Sequence, residues 1–347
     1  MADTLSRQQK GKRWGDILKF VVFIAIGFLF IYWFLLKLPP EQKQEIWASF
    51  KSADYAWVAV TMAVCLASHF VRTLRWRLLY KPLGREPRLL PTFGAVVVAY
   101  MANMAFPRLG EVLRCAVLRT SDGIAVEKSL GTVITERITD VVLNALIILV
   151  GTLLIVGDIR EWVFEGLSAK ADSLPSTTVV IAAIVAAVVI TVALYKLLYR
   201  RLLKYAFFSR IDKLLRGMLD GVKSILHLDR RSAVLYFVYS ALIYGFYILG
   251  GLVMMQAFPE TSGLGFNAAF LLYFLGSVGM MFSQGGIGVY PVLVQMALAV
   301  YAVPKAAGLA CGWLLWGAQQ AVVIAVGMLF MIYFSIAKRK SKDAVVE

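Results

Sequence analysis

Glu111 stands in the run Asn103-Met104-Ala105-Phe106-Pro107-Arg108-Leu109-Gly110-Glu111-Val112-Leu113-Arg114, directly after a stretch from Leu89 to Pro107 that carries no charge. A charge at bilayer depth costs about 2.5 to 3.5 kcal/mol even on lenient insertion scales, so charges there are as a rule paired and functional. On a helix, Arg108, Glu111 and Arg114 are three apart and form a charged stripe along one face, with Glu111 between two arginines. Arginine holds a phosphate in bidentate fashion, and a helix starting near Arg108 adds its positive end and free N–H groups. The chemistry that fits is capture of an anionic headgroup. A second cluster, Glu136, Arg137 and Asp140, lies further along. Glu136 and Asp140 are four apart, face the same way and repel unless a cation stands beside them. Arg137, Arg108 or Arg114 can supply it. The alternative is a structural ion-pair network that locks the elements together, and both readings can hold.

The elements that must position these residues are apolar. Of 347 residues, 60% are hydrophobic and 16% charged, with several spans about 20 residues long. The long runs of Val, Ile, Leu, Ala and Phe do not alternate in polarity, which excludes a transmembrane barrel and leaves an all-α polytopic membrane protein. A net charge of +15 would suit nucleic-acid binding, but the basic residues cluster in short loops between spans, so nucleic acid is not a partner. Cys65, Cys115 and Cys311 lack the spacing of metal ligands or of a disulfide framework and read as packing residues. His69 and His227 are isolated, and no metal role is expected for either. No Gly-rich loop of phosphate-binding spacing precedes a Lys-Ser or Lys-Thr pair, and no cofactor is expected.

Six long spans are predicted: Ile17 to Leu36, Tyr55 to Leu74, Ser129 to Val156, Thr177 to Leu198, Ala233 to Phe258 and Lys305 to Phe334. The first follows a basic arm, residues 1–16, and is too long for a signal-peptide core, so it stays as an anchor. Lys and Arg favour the cytoplasmic side in short loops. Four lie in the arm, five between Arg75 and Arg88, and ten against three acidic residues between Lys196 and Arg231. Lys338, Arg339, Lys340 and Lys342 lie in the tail, residues 335–347, whereas Gly157 to Pro175 holds two basic and four acidic residues. Both termini are therefore expected in the cytoplasm, in the inner (plasma) membrane. The loop from Lys196 to Arg231 also has apolar residues at helical spacing, Ile211, Leu214, Leu215 and Met218. It is either a topology determinant or an amphipathic helix lying on anionic lipid.

With six spans, Leu89 to Leu118 must enter and leave on the cytoplasmic side, and Phe266 to Val303 on the outer side. Two opposed broken hairpins inside a single membrane domain, residues 17–334, are the sign of an inverted-topology repeat, with units at 55–156 and 233–334. The first break is Pro107. The second is Ser283-Gln284-Gly285-Gly286-Ile287-Gly288-Val289-Tyr290-Pro291, where Gly285, Gly286 and Gly288 serve either a turn at membrane depth or close helix packing, as at Gly308 and Gly312. A helix start is expected around Pro291.

Asn103…Pro107-Arg108-Leu109-Gly110-Glu111…Arg114, then Glu136-Arg137…Asp140, then Gly285-Gly286-Ile287-Gly288, resembles the lysylphosphatidylglycerol synthase transmembrane family, also called the flippase-like domain family. The resemblance runs from about Trp57 to Phe334 and adds Asn103 and Gly110 to the candidate substrate-binding residues. It implies movement of a lipid between leaflets, and relatives are linked to polyprenyl-linked sugar pathways. The chain departs from full-length synthases, whose soluble aminoacyl-transfer domain follows the membrane part. Gln284 and Tyr290 also stand where relatives often have a proline before and an acidic residue after the paired glycines. The leading expectation is a flippase-like protein for a lipid with an anionic headgroup, either phospholipid or polyprenyl-phosphate-linked. The alternatives are a membrane-embedded transferase with Glu111 or Asp140 as general base, and an accessory partner of lipid-modifying or glycosyl-transfer enzymes.

Overall fold

The computed structural model describes residues 40–105, 108–168, 227–282 and 284–343. The predicted spans Ile17 to Leu36 and Thr177 to Leu198, and most of the basic loop, lie outside these residues. Among the described residues every regular element is helical: α1 (Pro40–Ser52), α2 (Tyr55–Leu78), α3 (Leu89–Ala105), α4 (Leu109–Asp122), α5 (Val126–Ser168), α6 (Arg230–Met255), α7 (Phe266–Phe282), α8 (Val289–Ala299) and α9 (Lys305–Asp343). Short 3-10 turns lie at Lys81–Leu83 and Gln284–Gly286. Among the described residues, three segments are long and apolar enough to cross a membrane: Tyr55–Leu83, Arg230–Met255 and Lys305–Ile336.

The chain divides into two compact units, one holding residues 1–130 and 229–347 and the other residues 131–228. In the first, α2 and α6 run antiparallel. Asp54 caps α2 by accepting from the Ala56 N–H at 2.9 Å, and its own N–H donates to the Ala257 carbonyl beyond the far end of α6. At the other end Lys81 Nζ donates to Ser232 Oγ at 3.0 Å. Asp229 caps α6, accepting from the Ser232 N–H at 3.1 Å. Hydrogen bonds from the Ser232 side chain and backbone hold the Asp229 carboxyl below its usual range. The stability this cap lends is present above the ordinary carboxylate pKa and is lost as pH falls through the depressed one. Asp229→Asn should flatten that acid limb in a thermal-unfolding series, and an unchanged limb would remove Asp229 as its source.

The hairpin α3–α4 is closed at its mouth by a charged pair. Arg88, just before α3, donates through Nε and its backbone N–H to Asp122 Oδ1, at 2.9 and 3.2 Å, at the end of α4. Both ends of the hairpin therefore lie together, beside Arg77, whose Nε donates to the Pro87 carbonyl. The α7–α8 pair forms the second hairpin, and α9 packs against α8, α3 and α2. Gly308 and Gly312 serve close packing, as expected. A Cβ on Gly312 would stand 2.8 Å from Pro291 Cα, and one on Gly308 would stand 3.3 Å from Gln295 Cα.

Three boundaries differ from the sequence reading. The predicted span Tyr55 to Leu74 runs four residues further, so Arg75, counted with the loop, lies inside α2 and is fully buried. In the second unit, α5 continues from the predicted span through Gly157–Ser168, most of the acidic stretch that separates the predicted spans. At the end of the chain, α9 carries on through the basic tail to Asp343. Helix formation needs no change of polarity, so a charge count does not mark where a helix stops.

Candidate functional site

The tip of the first hairpin is built around Asn103. Its Oδ1 accepts the Gly110 N–H at 2.7 Å, and its Nδ2 donates to Glu111 Oε1 at 3.5 Å. Arg108 holds the N-cap position of α4 but has φ 64° and ψ 3° and makes no side-chain cap bond. The cap comes instead from α3, across the hairpin. Such a left-handed backbone is costly for a residue with a Cβ and is found at turns. Gly110 is forced by proximity, since a Cβ there would stand 2.7 Å from the Ala99 carbonyl carbon and 2.8 Å from Asn103 Oδ1.

Arg108 therefore precedes the helix and is exposed, so the expected three-residue stripe loses its first member. Glu111, in the first turn, is half-buried, and Arg114, one turn on, is 2% exposed. The Arg114 guanidinium lies 4.5 Å from the centre of the Trp76 ring on α2, a cation–π contact that fixes α4 to α2. The start of α4 is thus not a bare anion site. One of its donors is taken by Asn103, and Glu111 sets a carboxylate against its positive end.

At the second tip, Gly285, Gly286 and Gly288 have φ of 64°, 76° and 75°, and α8 starts at Val289, two residues before the expected Pro291. Pro291 lies in the first turn, where a missing N–H costs nothing. Of the two readings of the glycines, backbone freedom applies to all three, and close packing applies to Gly286. A Cβ on Gly286 would meet Met280 Sδ and stand 3.1 Å from Tyr290 Cβ. The Trp316 indole N–H donates to the Gly285 carbonyl at 2.7 Å, and the Tyr290 hydroxyl is hydrogen-bonded to Gln319. Trp316→Phe removes that donor while keeping a smaller aromatic ring, and should cost about 1 kcal/mol or more. Faster amide exchange in residues 284–290 is the readout, and exchange at the wild-type rate would show that the bond does not hold the tip. The Gln284–Gly286 turn also packs against α3, so the second tip meets the first hairpin.

In the second unit Glu136 is fully buried, while Arg137 and Asp140 are half-buried. Thr135 and Thr139 on the same helix turn their hydroxyls back to the carbonyls of Gly131 and Thr135, at 3.0 and 2.9 Å. Cys115 and Cys311 are buried and Cys65 is half-buried, consistent with packing.

The sequence reading missed His69, Arg72 and Arg75, which stand three apart on one face of α2, the same spacing that drew attention to Glu111. His69 is 5% exposed and lies against Tyr100, with ring centres 4.6 Å apart. Arg72 Nη2 donates to the Tyr247 hydroxyl at 2.9 Å, and Arg75 Nη1 to Ser240 Oγ at 3.1 Å.

A helical core with spanning segments, two broken apolar hairpins and buried arginines defines a multi-pass membrane protein. The model of the lysylphosphatidylglycerol synthase TM region matches residues 17–327. The chain belongs to that family, whose members are membrane proteins of lipid-related, flippase-like function. No curated protein and no solved structure matches it significantly.

Proposed function

We propose that the chain binds a lipid with an anionic headgroup and carries it between leaflets past the two hairpin tips. The observation that carries this reading is the first tip, where a half-buried carboxylate and a buried arginine share the opening turns of a helix of 14 residues. At 1.5 Å per residue that helix is about 21 Å long, short of the roughly 30 Å hydrocarbon core. Its partner α3 and the corresponding α7 both have 17 residues, and α8 has 11. Equal first arms and short second arms favour re-entrant hairpins and an inverted repeat of α2–α5 with α6–α9. Six spans, both termini in the cytoplasm and an inner (plasma) membrane location complete the proposed topology.

In this reading Arg114 contacts the phosphate, Arg108 guides it from the exposed tip, and Glu111 exchanges partners or carries a proton. Asn103 and Gly110 shape the tip. Glu136, Arg137 and Asp140 are the charged members of the proposed set on α5, and Gly285, Gly286 and Gly288 present backbone to the headgroup. The lipid is a phospholipid or a polyprenyl-phosphate-linked carrier, and enzymes that modify or glycosylate it are the natural partners. The test is a leaflet-resolved assay in proteoliposomes with both lipid classes. Wild type should move at least one of them well above protein-free vesicles, and equal slow movement of every lipid by wild type and Glu111→Gln would end this reading.

A further inference from the structure

α1 is too short and too polar to cross a membrane, yet it leads directly into a helix long and apolar enough to do so. Its 13 residues, Pro40–Ser52, cover about 20 Å and include two lysines and two glutamates. After Ala53 and Asp54 comes α2, whose first residue is tied back to α1: the Tyr55 hydroxyl donates to the Phe50 carbonyl at 3.1 Å. One face of α1 is already used. Ile46 is 7% exposed, Phe50 is half-buried and Ala53, just past the end, is buried, and steps of four and three keep them in line. Ile46 shares a cleft with Pro304, Lys305 and Leu309, so this face rests on the start of α9. The neighbouring face carries Trp47, 62% exposed, and one turn on Lys51, whose Nζ lies 5.7 Å from the centre of the Trp47 ring. An indole left so open to water gains little from its large apolar surface.

The surroundings say what covers it. Tyr55, Trp57 and Phe266 are exposed at the same end of the unit, at the starts of α2 and α7. Further along the two spanning helices, α2 exposes Val60 and α6 exposes Leu249. The exposed charges Asp54, Glu260 and Lys305 lie at or beyond the helix ends. Aliphatic, then aromatic, then charged is the order met on passing from hydrocarbon through the headgroup layer to water, and Trp and Tyr collect in the middle zone because each ring is part apolar and part polar. We propose that α1 lies in the headgroup layer of the bilayer, with the Trp47 indole at the boundary of headgroups and acyl chains and the Lys51 ammonium on a lipid phosphate. The occupant of the exposed face is phospholipid, not protein. A helix lying in the interface sinks about 5 to 10 Å into that boundary, which sets Trp47 level with Trp57. Were α1 a straight continuation of α2 into water, Trp47, ten residues earlier, would stand about 15 Å further out. Held in the headgroup layer, α1 fixes the depth at which α2 and α9 enter the membrane, whether or not the chain moves lipid.

The test is tryptophan quenching of the full chain in nanodiscs of phosphatidylcholine brominated near the top of its acyl chains. The fluorescence lost in Trp47→Phe is the Trp47 signal, and that lost in Trp57→Phe is a reference on a spanning helix. Brominated lipid should quench the Trp47 signal by about half or more, close to its effect on Trp57, while iodide in the water should quench it less than about half as well as a free indole. Strong quenching by iodide with no effect of bromine would leave α1 in water and overturn the proposal. Quenching by neither would mean that a second copy or another protein covers the face, and would overturn it equally. Lys51→Glu, measured against the double variant with Trp47→Phe, should lower the bromine quenching of Trp47 about twofold and leave that of Trp57 unchanged. No change at Trp47 would overturn the phosphate contact.

Discussion

Gly110→Ala is expected to pull the first hairpin apart at its tip, at a cost of about 3 kcal/mol or more, the upper part of the range for overpacking. The new methyl would meet the backbone carbonyl of Ala99 and the Oδ1 of Asn103, and only the second of these is at the end of a side chain. Asn103 can turn away, but doing so gives up its bond to the Gly110 N–H and its contact with Glu111. The Ala99 carbonyl belongs to α3 itself, so relief requires the two helices to separate. Asn103→Ala tests the capping part alone and should cost about 1 kcal/mol, the ordinary value of a lost N-cap. The double variant should cost less than the sum, because both changes act on one contact. Gly245→Ala is the control, since a Cβ on Gly245 meets nothing within 4 Å. Thermal unfolding of the purified variants in one detergent checks the order. A Gly110→Ala protein as stable as Gly245→Ala would mean that the close approach of α3 and α4 is not needed for the fold.

What could be read from the sequence was whatever its own neighbours decide. The hairpin breaks were legible because Pro107 and the glycines of residues 285–288 punctuate stretches that are otherwise apolar. Loop charge predicts that both ends of the first hairpin lie on one side of the membrane, and the Arg88–Asp122 pair holds those two ends beside each other. Gly110 stood in the motif, but its reason for being glycine lies in Ala99 on the facing helix. The cap on α4 was illegible for the same reason: Asn103 serves a helix that starts after the turn, while the residue next to that helix, Arg108, looks like its first member. Arg72 and Arg75 were passed over because their hydroxyl partners lie 175 and 165 residues away. A charge tally treats an arginine near a span end as a loop residue, and only a partner on another helix reveals that it is buried. The three-residue spacing of His69, Arg72 and Arg75 was the available signal.

Removing the charge of Glu111 should have the largest effect on transport, and the structure offers a way to remove charge while keeping the bond from Asn103. In Glu111→Gln the side chain keeps its length, and its carbonyl oxygen still accepts from the Asn103 amide, so the tip should lose only the charge–dipole part of its stability, about 0.3 to 1 kcal/mol. What changes is the ability to bind a cation or a proton during turnover. Loss of a hydrogen bond to a charged group is worth about 1.5 to 3 kcal/mol, so transport should fall about tenfold to a hundredfold. Arg114→Lys makes the complementary change. It retains the positive charge but loses the planar group that stacks on Trp76 and the fork that grips two phosphate oxygens. If charge alone attracts the headgroup, Arg114→Lys should transport near the wild-type rate; if phosphate must be gripped, it should fall by a similar factor. Both variants belong in the leaflet-resolved assay, alongside their unfolding temperatures. Glu111→Gln at full rate would reduce the charge network of α4 to a structural one, since no step of transport would then depend on a carboxylate at the tip.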